Sequence, residues 1–332
     1  MPNVSEGRDP GVIAALSAAI RSVTPVCLLH VDAGADANRT VFTFAGPPER
    51  VGDAALALAH AVATQVDMRR QSGAHPRLGA LDVCPFVPVR GVSLERCAQL
   101  ARRVGSAMAH DLGLPVFLYE AAAFEATRRA VPLLRRGEYE GLPGKLGDPA
   151  FRPDFGPALP HATLGASIVG ARPFLIAWNL SLATPDVAVA RAIAGRVRES
   201  GRVVGQADGR RTRRPGLLPA VRAVGWGMPT YGHAQVSLNL LDFAVTPMHA
   251  AWRVVAEQAL LYGTRVIGSE LIGLVPLAAL RDAGRAALAG ASVGASDITL
   301  VDAAIHALRL DAVHPFDPRQ RVLEWAIEDA GR

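Results

Sequence analysis

The sequence predicts an α+β protein built of two βαββαβ units in tandem. Three observations predict it. β-rich runs alternate with amphipathic helical runs in the same order in each half. Half of the 332 residues are apolar, enough for two sizeable cores. A long Gly- and Pro-rich connection separates the halves, which divide at residues 1–174 and 175–332.

Asp9-Pro10 ahead of "GVIAALSAAIRS" is a helix start, with Asp9 as N-cap and Pro10 in the first turn. "VCLLHVDAG" and "RTVFTFAG" are strands separated by the turn-rich "ADAN". A helix runs from Pro48 to about Arg69, and "LDVCPFVPV" is the next strand. With the start of the chain, this is the split βαβ order of a ferredoxin-like sandwich. A helix capped by Ser93 and the strand "PVFLYE" follow. The second half repeats the order: strand "PFLIAWNLSL", helix Asp186 to Ser200, strands "AVRAVGWG" and "AQVSLNLLDF", helix Pro247 to Tyr262, strand "RVIGSELIG". The connection from about Arg135 to Gly170 is irregular but apolar in part, which argues for a functional segment over a disordered one.

Composition narrows the function classes. The first residues lack the basic start and apolar run of a signal peptide, and runs such as Ala54 to Ala59 are too short to span a membrane, so the expected compartment is the cytoplasm and no membrane partner is expected. Three cysteines, Cys27, Cys84 and Cys97, form no CxxC pair, which fits a reducing compartment. The net charge is +5 and rests on arginine, Lys145 being the single lysine. Arg196, Arg198, Arg202, Arg210, Arg211, Arg213, Arg214 and Arg222 gather in one segment that would attract a polyanion. No aromatic residues interleave as stacking platforms, so that segment reads as a solvated loop and no nucleic acid is expected. HExxH, GxxxxGK and GxGxxG are absent, and no metal is expected.

Chemistry concentrates in "QSGAHPRLGALDVCPFVPVRG". His75 lies on a Gly-rich loop fixed by Pro76, where an imidazole takes and gives protons near neutral pH. Arg77 suits either a substrate carboxylate or a surface ion pair, and Asp82 suits either orienting His75 or capping a turn. Cys84, in an apolar strand, reads as a small buried hydrophobe; a Cys-His hydrolase would need an electropositive, open thiol there.

The blocks "PNVSEGRD", "VDAGADANRTVFTFAG", "HPRLGALDVCPFVPVRG", "YEGLPGKL", "PDFGPALPHATLGASIVGARPFLIAWNLSL", "AQVSLNLLDF", "IGSELIGLVPLAAL" and "PFDP" closely resemble the glutamate formimidoyltransferase family, from Pro2 to about Glu324. The resemblance implies two ferredoxin-like subdomains, a homodimer, and transfer of the formimidoyl group of N-formimidoyl-L-glutamate to N5 of tetrahydrofolate, a co-substrate, in histidine degradation. It places the family's proton-transfer histidine on His75. It places the folate segment on Gly156, Pro157, Ala158, Leu159, Pro160, His161, Ala162, Thr163, Leu164 and Gly165. The chain begins at the "PN" of the first motif, several residues into the usual first strand, and ends with no room for a cyclodeaminase domain. Formyl transfer, or folate binding without catalysis, are the alternatives.

The transferred group is a cationic amidine, so attack by N5 discharges a delocalised cation. A carboxylate beside that carbon serves better than an oxyanion hole, and Glu6, Asp32 and Asp82 are the candidates. Arg39 and Arg77 have the planar fork that matches glutamate carboxylates.

Overall fold

A computed structural model describes residues 1–205 and 210–331. Contacts divide the chain into two compact units, Met1–Pro173 and Phe174–Ala330.

The first unit runs β1 (Asn3–Val4), α1 (Pro10–Arg21), β2 (Cys27–Gly34), β3 (Arg39–Ala45), α2 (Pro48–Gln65), β4 (Leu81–Phe86), α3 (Leu94–Leu112), β5 (Val116–Glu120), α4 (Val131–Leu134), α5 (Leu142–Leu146) and β6 (Ser167–Ala171). Asp9 caps α1 by accepting from Gly11 and Val12, and Ser93 caps α3 by accepting from Arg96. The sheet order is β2-β3-β1-β4-β6-β5. Its first four strands have the order that two interleaved βαβ crossovers produce, and β6 and β5 extend it in parallel. Phe42, Phe44 and Val4 pack on Leu16, Leu58 and Val104 of α1, α2 and α3. On the other face, Val83, Ile168 and Phe117 pack under Leu134, Leu142 and Leu146.

Two expectations change here. The helix expected to reach Arg69 ends at Gln65, because Val66 is extended and the Asp67 carboxylate takes the Arg69 amide at 3.0 Å in place of a helical carbonyl. The glycine-rich "GASIVGA" is a buried strand: a Cβ at Gly170 would lie 2.3 Å from the Tyr119 ring, so the close packing of β6 on β5 requires glycine.

The second unit runs β7 (Ile176–Leu182), α6 (Val187–Val197), β8 (Arg202–Gly205), β9 (Arg211–Arg214), β10 (Val221–Met228), β11 (His233–Leu240), α7 (Met248–Leu261), β12 (Val266–Ile272), α8 (Leu277–Leu288), α9 (Asp297–Leu308), α10 (Pro318–Arg321) and α11 (Leu323–Ala330). The main sheet, β10-β11-β7-β12, repeats the strand order of the first unit. Trp178, Leu180, Val236 and Leu238 pack on Ile193, Ala251 and Val255. The last helices are tied in by main-chain bonds from Val275 N to Arg321 O and from Leu323 N to Val275 O, both 2.9 Å. The arginine-rich segment, expected as a loop, is in part an exposed hairpin of β8 and β9; residues 206–209 within it lie outside the described residues. The β-branched Val203, Val204 and Thr212 supply the extended propensity that charge alone concealed.

Candidate active site

Strand β4 meets β1 out of register. Asn3 lies opposite Val83 but Val4 opposite Leu81, so Asp82 is the extra residue of a bulge. A bulge re-aims a side chain, and the Asp82 carboxylate is fully buried between two guanidinium groups. Its Oδ2 lies 2.7 Å from Arg39 Nη1 and 2.7 Å from Arg135 Nη2, while Oδ1 accepts from the Leu78 amide at 2.7 Å. Burial alone opposes ionisation, but the charges of Arg135 and Arg39 and the Leu78 N–H outweigh it and hold the carboxyl at about 2. Two guanidinium groups against one carboxylate leave the cluster with an excess positive charge.

His75 is half-buried on the loop before β4. Its Nδ1 lies 2.7 Å from the Pro76 carbonyl oxygen, which only accepts, so Nδ1 carries the hydrogen and Nε2 the lone pair. Burial, then the charges of Arg39 and Arg135, push the imidazole down to about 3, with Asp82 and the Pro76 carbonyl opposing. The resting imidazole is therefore neutral at physiological pH, the form in which a ring nitrogen can take up a proton.

The loop is held from the β2–β3 turn. Asn38 sits at φ 46°, a conformation asparagine tolerates. Its Oδ1 accepts from Gly7 at 3.0 Å, its Nδ2 donates to Ser72 O at 2.9 Å, and its carbonyl accepts from Gln71 Nε2 at 3.0 Å. A Cβ at Gly73 would lie 2.2 Å from Ala37 O, so the two segments approach closely only through glycine.

Arg77 takes the ion-pair alternative of the two the sequence left open. Its Nη2 and Nη1 reach Glu140 at 2.6 and 2.9 Å, Nη1 also reaches Glu138 at 2.9 Å, and Nε donates to Gln71 at 2.7 Å. This fork is occupied within the protein and braces the His75 loop against residues 138–140. Glu6 is engaged likewise: its Oε1 accepts from the Arg8 and Asp9 amides at 2.7 and 3.0 Å. Asp82 is neutralised by its arginines, and Asp32, on β2, lies 3.7 Å from His30 Nε2. Cys84 is buried and burial pushes its thiol up to about 11, so it is no nucleophile.

Residues 156–165 join this region through their C-terminal end. Leu164 O accepts from Ala80 N at 2.9 Å, and Tyr139 donates its hydroxyl to Ala162 O at 2.6 Å and its amide to Arg77 O at 3.0 Å. His161 Nδ1 accepts from the Leu164 amide at 3.2 Å, which closes the turn and places the ring hydrogen of the neutral imidazole on Nε2. Gly156 and Gly165 are left-handed, and a Cβ at Gly165 would lie 2.5 Å from Leu78 O. Leu159 is 71% exposed at the loop's far end.

The structure thus brings His75, Arg39, Asp82 and residues 161–165 into one part of the first unit. Sequence reasoning missed Arg135, Asn38, Glu138 and Glu140. The alternating acids of "EYE" opposite one basic fork were a signal for Arg77; Arg135 offered none, since its partner lies 53 residues away.

The model of the formiminotransferase domain, N-terminal subdomain, matches residues 1–172, and that of the formiminotransferase domain matches residues 177–328. The chain is 44% identical to a formimidoyltransferase-cyclodeaminase of Rattus norvegicus over 100% of its own length and 60% of that protein. It is 36% identical to a glutamate formimidoyltransferase of Streptococcus pyogenes serotype M1, over 85% of this chain and 90% of that protein, and 36% identical to one of Thermoplasma acidophilum over 85% and 89%. It thus spans about 60% of the cyclodeaminase-bearing relatives. Two family models in order over nearly every residue, on two units of matching strand order, show that the chain belongs to the formiminotransferase family.

Proposed function

We propose that this protein transfers the formimidoyl group of N-formimidoyl-L-glutamate to N5 of tetrahydrofolate, with His75 as proton shuttle. The observation that carries the reading is a neutral imidazole beside a buried cluster of excess positive charge. N5 attacks the amidinium carbon, the new C–N bond forms, and the bond to the glutamate nitrogen breaks. The N5 proton passes to His75 Nε2 and then to the departing amine, so one residue serves both steps. Anionic substrate near Arg39 and Arg135 offsets their field and makes His75 a stronger base when it is needed. Those two arginines share the single Asp82 carboxylate, whereas Arg77 has two carboxylates to itself, so the pair keeps more attraction for a glutamate carboxylate. Asp32 suits the amidinium, and residues 156–165, with exposed Leu159, suit the folate. The arginines of β9 suit a polyglutamate tail. We assign the enzyme to the cytoplasm as a homodimer.

His75→Ala tests this. The loop ring contributes little packing, so circular dichroism and tetrahydrofolate affinity should match the wild type. Turnover should fall roughly 10²- to 10⁴-fold, in kcat more than in KM. Near-normal turnover in the folded variant would exclude the shuttle.

A further inference from the structure

The face of the second sheet that points away from α6 and α7 carries a connected polar network, and its hydrogen-bond directions are fixed by chemistry. The Trp226 indole donates only, and it reaches Gln235 Oε1 at 3.2 Å. The Gln235 amide nitrogen is thereby turned toward Ser181 Oγ at 3.1 Å and Glu270 Oε1 at 3.0 Å. Asn179, directly opposite Glu270 in register, donates to the same Oε1 at 3.2 Å. Ser181 and Gln235 are fully buried, Asn179 is nearly so, and the Glu270 side chain is 11% exposed. Two amides lock the carboxylate plane through one oxygen. The second oxygen, Oε2, has His314 Nε2 at 3.7 Å, and among the described residues that imidazole is its sole ion-pair partner. Tyr231 hydrogen-bonds His314 and stacks on His233 with ring centroids 5.5 Å apart, and His233 Nε2 is buried without a hydrogen-bond partner.

A largely buried carboxylate whose hydrogen-bond donors are two neutral amides on one oxygen is costly unless a further donor reaches the other. The two amides fill Oε1, so the locked carboxylate presents Oε2 as its remaining acceptor, the complement of an N–H donor on a planar N–C–N edge. We propose that Glu270 binds such an amidine-type edge of a substrate, with Asn179 and Gln235 as positioning residues and the Tyr231–His233 pair as an aromatic flank. This rests on the transfer reaction proposed above. That chemistry has two sources there: the 2-amino-pyrimidinone edge of the folate, and the amidinium of the formimidoyl donor.

The test is calorimetric binding of tetrahydrofolate, N-formimidoylglutamate and N-formylglutamate, separately, to the wild type and to Glu270→Gln. Replacing one acceptor by a donor should weaken the recognised ligand roughly 10- to 100-fold. If the folate is the source, only its affinity falls; if the donor is, formimidoylglutamate weakens and already weak formylglutamate does not change. Ser237→Lys keeps every network residue and offers Glu270 a competing cation from the strand position opposite Asn179, so it should reproduce the loss should Glu270→Gln fail to fold. Unchanged affinity for both substrates in a folded variant overturns the site. A wild type that binds both through Glu270 yet transfers nothing overturns the transfer reaction and leaves the site standing.

Discussion

Each unit sets a carboxylate on the fourth strand of a βαββαβ sheet, against the first strand: Asp82 as the bulge residue between the partners of Asn3 and Val4, and Glu270 directly opposite Asn179. The surroundings differ. Asp82 meets two guanidinium groups at 2.7 Å, whereas Glu270 meets two carboxamides at 3.0 and 3.2 Å. Corresponding strands thus serve two electrostatic ends. In the first unit the acid is consumed in fixing cations, and the excess charge is positive and bears on His75. In the second unit the acid is held through one oxygen by carboxamides and presents the other as an acceptor.

The largest expected consequence concerns stability. Asp82→Asn leaves Arg39 and Arg135 buried without a counter-charge and should cost about 3 to 5 kcal/mol. Glu270→Gln removes a charge from neutral partners and should cost about 1 kcal/mol or less. Urea denaturation of the two variants checks the contrast; equal losses would abolish it.

A second consequence is its dependence on pH. The folded carboxyl of Asp82 titrates at about 2, below its ordinary 3.8, so its contribution is complete above 3.8 and is lost as pH falls through 2; it amounts to on the order of 2 kcal/mol. His75, ordinarily near 6.5, titrates at about 3 in the folded chain, so below 6.5 the unfolded state takes up the proton first and stability falls with pH. Melting temperatures from pH 8 to 4 should therefore decline less steeply in His75→Ala than in the wild type. A parallel decline would show that His75 is not held neutral.

The smallest effect belongs to Cys84→Ala. It should lower stability by about 1 kcal/mol through lost packing and leave kcat unchanged, because the thiol is pushed up to about 11. Loss of turnover would return a nucleophile to β4.

The order of elements was legible because periodicity reports burial: the alternation of "AQVSLNLL" is the alternation of core and polar faces in β11. Strand β6 was not, because Gly170 answers to Tyr119, a contact that no local pattern encodes. His75 was visible from its loop and its family block. What tunes it was not, since Asp82 is aimed by a one-residue slip between strands and Arg135 enters from a distant turn. Arg77 misled because a guanidinium fork has the same sequence signature whether its carboxylates are internal or a ligand's.

The place of β6 between β4 and β5 sets an order of assembly. Those two strands are not neighbours in the finished sheet, and the strand that joins them follows β5 only after residues 121–166. During synthesis both edges stay unpaired until Ala171 has been made, and each is a template for pairing with another chain. Asp82 waits in the same interval for Arg135. The first unit therefore closes late, from its middle outward, and a nascent chain stopped short of β6 would expose its two stickiest edges together.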